Sequence, residues 1–125
     1  MIAKHTQPFD PEAFLSGADG DRTISRYRKG ESVFVQGDPA DAVFYIREGE
    51  CKVTVVSEQG KEAVVALHGK GDFFGEGCLN GHKRRLATVT AITKCETMRL
   101  DKAAMLRVLH EQPTFSELFI SYLVA

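Results

Sequence analysis

Long apolar runs are missing from this chain. No window approaches the roughly 18 apolar residues of a membrane-spanning helix, and the leading MIAKHTQPFDPEAF lacks the apolar stretch of a signal peptide. A basic excess is missing too: 16 Lys and Arg stand against 17 Asp and Glu, for a net charge of −1. Neutralising nucleic-acid phosphates needs a surplus of positive charge, so DNA or RNA binding is not the main business of this segment. Cysteine is scarce. Cys51, Cys78 and Cys95 are far apart and odd in number, unlike the dense, even set of a secreted disulfide framework. That implies reduced thiols and a cytoplasmic protein.

Catalytic and metal-binding patterns are absent as well. There is no Gly-x-Ser-x-Gly, and no serine has a histidine beside it in sequence. Gly69, Gly71 and Gly75 imitate a dinucleotide fingerprint, but their spacing is GxGxxxG and they sit among strands rather than opening a long helix. His5, His68, His82 and His110 pair with neither cysteine nor acid at metal-ligand spacing, and the cysteines offer no iron–sulfur spacing. A metal-dependent or sugar-processing enzyme would need His and Glu ligands that this pattern does not supply. The expectation is a chain with no catalytic residues, no metal and no cofactor.

What is present is one domain's worth of globular sequence: 125 residues, 43% hydrophobic and 26% charged. Asp10-Pro11-Glu12 predicts a helix start, with a helix through Phe14 and Leu15 to Gly17. From about Arg22 to Leu100, short runs of Val, Ile, Phe, Tyr and Thr alternate with glycine-containing turns, the texture of a sandwich or barrel. The runs 33–36, 43–47, 50–56, 62–68, 86–93 and 96–100 predict six or seven strands. In the run 50–56, Cys51, Val53 and Val55 should face one side with Lys52 and Thr54 on the other. Ser57-Glu58-Gln59-Gly60 should turn this strand into its antiparallel neighbour.

After Leu100 the apolar period becomes helical. Asp101 is placed to cap a helix carrying Met105, Leu106 and Leu109, ended before Pro113. A second helix carries Phe115, Leu118, Phe119, Tyr122 and Leu123 in one stripe. No stop signal precedes Ala125, so this helix is expected to continue in a longer parent chain. The fold class is therefore mainly β, an antiparallel β-roll or jelly roll with short flanking helices. The parts are an N-terminal lead (1–21), a roll (22–100) and C-terminal helices (101–125). The visible stripe is short for a dimer seam, so the chain alone should be a monomer or weak dimer.

One segment points to a ligand: GDFFGEGCLNGHKRRLATVTA, residues 71–91. Gly75-Glu76-Gly77-Cys78 predicts a tight turn into a very short helix, where glycine lets backbone amides approach a phosphate. Arg85 follows nine residues after Glu76, and its guanidinium can hold two phosphate oxygens at once. The Glu76 carboxylate cannot bind phosphate but accepts hydrogen bonds from a sugar hydroxyl. Together these describe a nucleotide site. The same residues would equally serve as a surface ion pair beside a solvated basic turn.

The segment resembles the phosphate-binding cassette of cyclic-nucleotide-binding domains: Gly-Glu, a short helix and loop, then Arg-small-Ala-x-Val-x-Ala. Gly75-Glu76 and Arg85-Leu86-Ala87-Thr88-Val89-Thr90-Ala91 fall on it. Gly37-Asp38-x-Ala40, the run Val43-Phe44-Tyr45-Ile46 and Gly49 match an upstream element of the same family. Within it, the chain is most similar to the N-terminal sensor half of a bacterial Crp/Fnr-type transcription regulator. The resemblance implies a cyclic nucleotide, cAMP or a relative, held by Gly75, Glu76, Gly77, Cys78, Arg85, Leu86 and Ala87. It also implies a base near Val65 and Ala66, a parent that is a homodimer, and DNA contact through a domain outside these residues. Two positions depart from the pattern. Gly77 stands where the family has an aliphatic residue, and Leu86 stands where it has Ser, Thr or Ala. These departures motivate the alternative of a ligand-free interaction or dimerisation module on the same fold.

Overall fold

The computed structural model describes residues 22–124; the lead, with its expected helix from Asp10 to Gly17, lies outside them. One sheet is built from β1 (Arg22–Tyr27), β8 (Cys95–Asp101), β3 (Ala42–Glu48) and β6 (Phe73–Phe74), in that order. The other runs β2 (Ser32–Phe34), β7 (Thr88–Ala91), β4 (Cys51–Val56) and β5 (Glu62–His68). All pairings are antiparallel. The fold is the expected β-roll, with α1 (Lys102–Glu111) and α2 (Pro113–Val124) packed on the outer face of the sheet that holds β3 and β8.

The run Ala42-Val43-Phe44-Tyr45-Ile46 in β3 explains the architecture, because all five residues are buried. Side chains alternate across a strand, so β3 feeds two cores. Ala42, Phe44 and Ile46 join Cys51, Phe74, Val89, Ala91 and Cys95 between the sheets. Val43 and Tyr45 turn the other way, into a cluster with Met98, Leu100, Met105, Phe115 and Phe119 under the helices. A strand covered on both faces reads as a continuous apolar run. Each large side chain so buried contributes about 1.5–3 kcal/mol.

Several expectations need correction. The strand 22–27 was absent from the predicted set, because RTISRY is half exposed and polar; β8 recruits it through six paired residues. The strand expected from Leu86 starts only at Thr88, since the backbone of Arg85 is bonded to Gly37 and Asp38 instead. In β4 the two-sided reading fails at Thr54, which is buried between its partners Thr88 and Val64. Asp101 sits at the cap position of α1 without capping it, its carboxylate being held by Arg99. Leu106 is exposed, and Ala104, Met105, Val108 and Leu109 form the packed stripe. A residue directly after Met105 is turned about 100° from it on a helix, off the covered side.

Candidate functional site

The site begins with Arg85. Its side chain is only 6% exposed, yet among the described residues no carboxylate hydrogen-bonds to it. The Nη1 atom donates to the Gly75 carbonyl at 2.9 Å and Nη2 to the Ala42 carbonyl at 2.7 Å. The guanidinium carbon lies 4.1 Å from the centre of the Phe34 ring, over its negative face. Burial lowers its pKa, opposed by the field of Cys78 and Asp41. An arginine nevertheless stays charged, so this is a cation desolvated against carbonyl dipoles and an aromatic face. Its Nε is buried with no hydrogen-bond partner among the described residues.

The upstream Gly-Asp element holds this arginine in place. The Arg85 amide donates to the Asp38 carbonyl at 2.7 Å, and the Gly37 amide returns a bond to the Arg85 carbonyl at 2.8 Å. Ala40 is bonded in turn to the Lys83 carbonyl. The Asp38 carboxylate closes its own turn by accepting from the Val35 amide. The two motifs, joined through residues more than 40 positions apart in sequence, are thus one strapped unit.

Gly75 takes a left-handed backbone, φ 82°, at the start of a short 3-10 helix over Glu76–Asn80. A Cβ there would lie 3.0 Å from Arg85 Nη1 and 3.3 Å from the Ala42 carbonyl. Only glycine lets the turn close over the guanidinium. At Gly77 a Cβ would stand 3.0 Å from His82 Nδ1. The imidazole of His82 therefore fills the space beside Gly77.

Around Arg85 the fold leaves a cavity of about 200 Å³. Gly75, Glu76, Gly77, Cys78, Arg85, Leu86 and Ala87 all line it, so the predicted phosphate and sugar group comes together. Leu86 is 63% exposed at the rim. Cys78 is buried, and burial pushes its thiol up despite the nearby Arg85. Val65 and Ala66 are not in the lining; Val65 is exposed where β5 bulges, opposite no residue of β4. Residues outside the predicted contact set complete the walls: Phe34, Val53, Phe74 and Val89 are apolar, and His68 and His82 are polar. Phe34, Phe44 and Phe74 form one aromatic cluster under the arginine, with His68 stacked on Phe74. Phe34, Val53, His68 and Phe74 have no distinctive spacing, because each belongs to a different strand.

Residues 24–112 match the family model of the cyclic nucleotide-binding domain. The chain belongs to that family. An uncharacterized protein of Mycobacterium tuberculosis is 40% identical to this cyclic nucleotide-binding domain over 111 residues, 89% of the chain and 20% of the relative. The CRP-like cAMP-activated global transcriptional regulator of the same organism is 28% identical over 91 residues, 73% of the chain and 41% of the relative. The chain thus spans a fifth to two-fifths of the length of these relatives. In fold, the domain is similar to the catabolite activator protein of Thermus thermophilus. That structure aligns with a TM-score of 0.79 at 24% identity, over 94% of this chain and 55% of that one. Among the described residues no helix is long and apolar enough to cross a membrane.

Proposed function

We propose that this domain is a non-catalytic sensor whose effector is a cyclic nucleotide, cAMP or a close relative. The observation that carries this is Arg85: a buried cation facing a cavity, with an Nε–H donor and a charge that no carboxylate among the described residues answers. In this reading the cyclic phosphate takes the remaining Arg85 donors and the amides of the Gly75–Cys78 turn, and Glu76 accepts from a ribose hydroxyl. Pockets that enclose whole drug-sized ligands measure about 300–1,000 Å³. A cavity of about 200 Å³ suits the sugar and phosphate. The base then leaves the cavity past the exposed Leu86, toward the edge of the roll where Val65 and Ala66 stand. The domain works in a cytoplasmic transcription regulator: the helices from 101 onward begin its dimerisation helix, and a separate domain contacts DNA.

Thermal unfolding with and without cAMP and cGMP tests this. A ligand at about 100 times its Kd adds about 2.7 kcal/mol, which raises the Tm of a domain this size by on the order of 10 °C. Arg85→Lys keeps the charge but loses the fork, and Glu76→Gln leaves the Arg85 contacts intact. Both variants should fold and lose most of the shift. No shift at millimolar nucleotide would overturn the reading. It would favour a ligand-free interaction module, in which Arg85 simply ties Gly75 to Ala42. Leu86 leans that way: with no hydroxyl donor at this position, the site forgoes a charge-assisted bond of about 1.5–3 kcal/mol, ten- to a hundredfold in affinity.

A further inference from the structure

Cys51 opens β4 and Cys95 opens β8, so the two stand on opposite sheets of the roll. Both are buried, and their Sγ atoms are 3.6 Å apart. A sulfur–sulfur bond is about 2.05 Å long, so a closure of about 1.5 Å would join them. Cys78 lies in the other core, its thiol directed at the Ala42 carbonyl. Gly49 makes room for the pair: a Cβ there would stand 2.8 Å from Cys95 Sγ and 2.2 Å from the Lys94 carbonyl.

We propose that Cys51 and Cys95 are a latent disulfide site, closed by small-molecule disulfides and reopened by thiols. One cysteine thiolate attacks the small disulfide, forming a mixed disulfide and releasing one small thiol. The second cysteine then attacks the mixed disulfide at the protein sulfur, releasing the other small thiol. The protein loses two protons and two electrons, and the small disulfide gains them. Burial, reinforced by contact with Cys95, pushes the Cys51 thiol up to about 12. In the closed roll the Cys51 thiolate is therefore scarce, and with both cysteines buried the first attack waits for a transient opening. The second is fast, because the partner sulfur is already in contact. The bond would weld β4, which supplies Val53 to the cavity wall and pairs Cys51 with His68, to the opposite sheet.

The test is incubation of the folded domain with oxidised glutathione at mildly alkaline pH, read by intact mass and non-reducing peptide mapping. The expected product has lost two hydrogens, carries a Cys51–Cys95 linked peptide and leaves Cys78 free. Its Tm rises by on the order of 10 °C and returns on dithiothreitol. Cys51→Ser and Cys95→Ser should give glutathione adducts or no product, and Cys78→Ser should close normally. The proposal is overturned if the wild-type pair stays reduced while the urea-unfolded chain oxidises. A mixed glutathione disulfide that accumulates without closing, or a linkage through Cys78, overturns it equally.

Discussion

Thr97 shows how sharply a single position is constrained. It lies in the middle of β8, fully buried, and its Oγ1 has no hydrogen-bond partner among the described residues. A buried hydroxyl left unpaired costs about 1–3 kcal/mol, and valine has nearly the same shape. Thr97→Val should therefore raise stability by about 1 kcal/mol, measured by urea denaturation with an unchanged m-value. A loss of stability would mean that the hydroxyl has a partner, such as an internal water. Arg85 is the opposite case: its charge is equally buried but has carbonyls, a ring face and a cavity to answer it.

The shortest described strand is β6, two residues long, yet it carries Phe73 and Phe74 into the two separate cores. Tyr122 of α2 holds it in place. Its hydroxyl donates to the Phe73 carbonyl at 2.7 Å and accepts from the Phe73 amide at 3.1 Å. Burial, helped by Asp72, pushes the Tyr122 phenol up to about 12 from the usual 10. Between those values the unfolded chain has lost the phenolic proton while the folded one keeps it, so folding becomes less favourable as pH rises. Stability should fall between about pH 10 and 12, more steeply than in Tyr122→Phe, whose own loss near neutral pH should be about 1 kcal/mol. Parallel alkaline profiles for the two proteins would show that Tyr122 does not titrate in this way. This contact was not readable in advance: Tyr122 falls on the apolar stripe of its helix, and nothing in periodicity says which strand its hydroxyl will meet.

For the whole molecule, the described surface leaves Ile120, Leu123 and Val124 of α2 exposed, together with Val64, Val65 and Leu67 of β5. The helix patch is only a few side chains, small beside the roughly 800 Å² per partner that a stable dimer buries. Sedimentation of the isolated domain at micromolar concentration should show a monomer or weak dimer. A tight dimer would mean that these patches pair. Most strands and the helical change after Leu100 were legible from order alone, because alternation and turn glycines are local properties, while the Gly75-Glu76 to Arg85 cassette was legible only through its resemblance to a family. Strand β1, the bulge that leaves Val65 outside the cavity, and the packing of His82 against Gly77 were not. Strand β1 depends on a distant segment, β8, arriving alongside, and the other two depend on bulge and turn geometry that residue type alone does not specify. Local sequence sets which residues want to be strand, turn or helix and which carry charge. Only the closing of the two sheets on each other decides that Arg85 is buried with no acid bonded to it among the described residues, and that Cys51 meets Cys95 across 44 positions of chain.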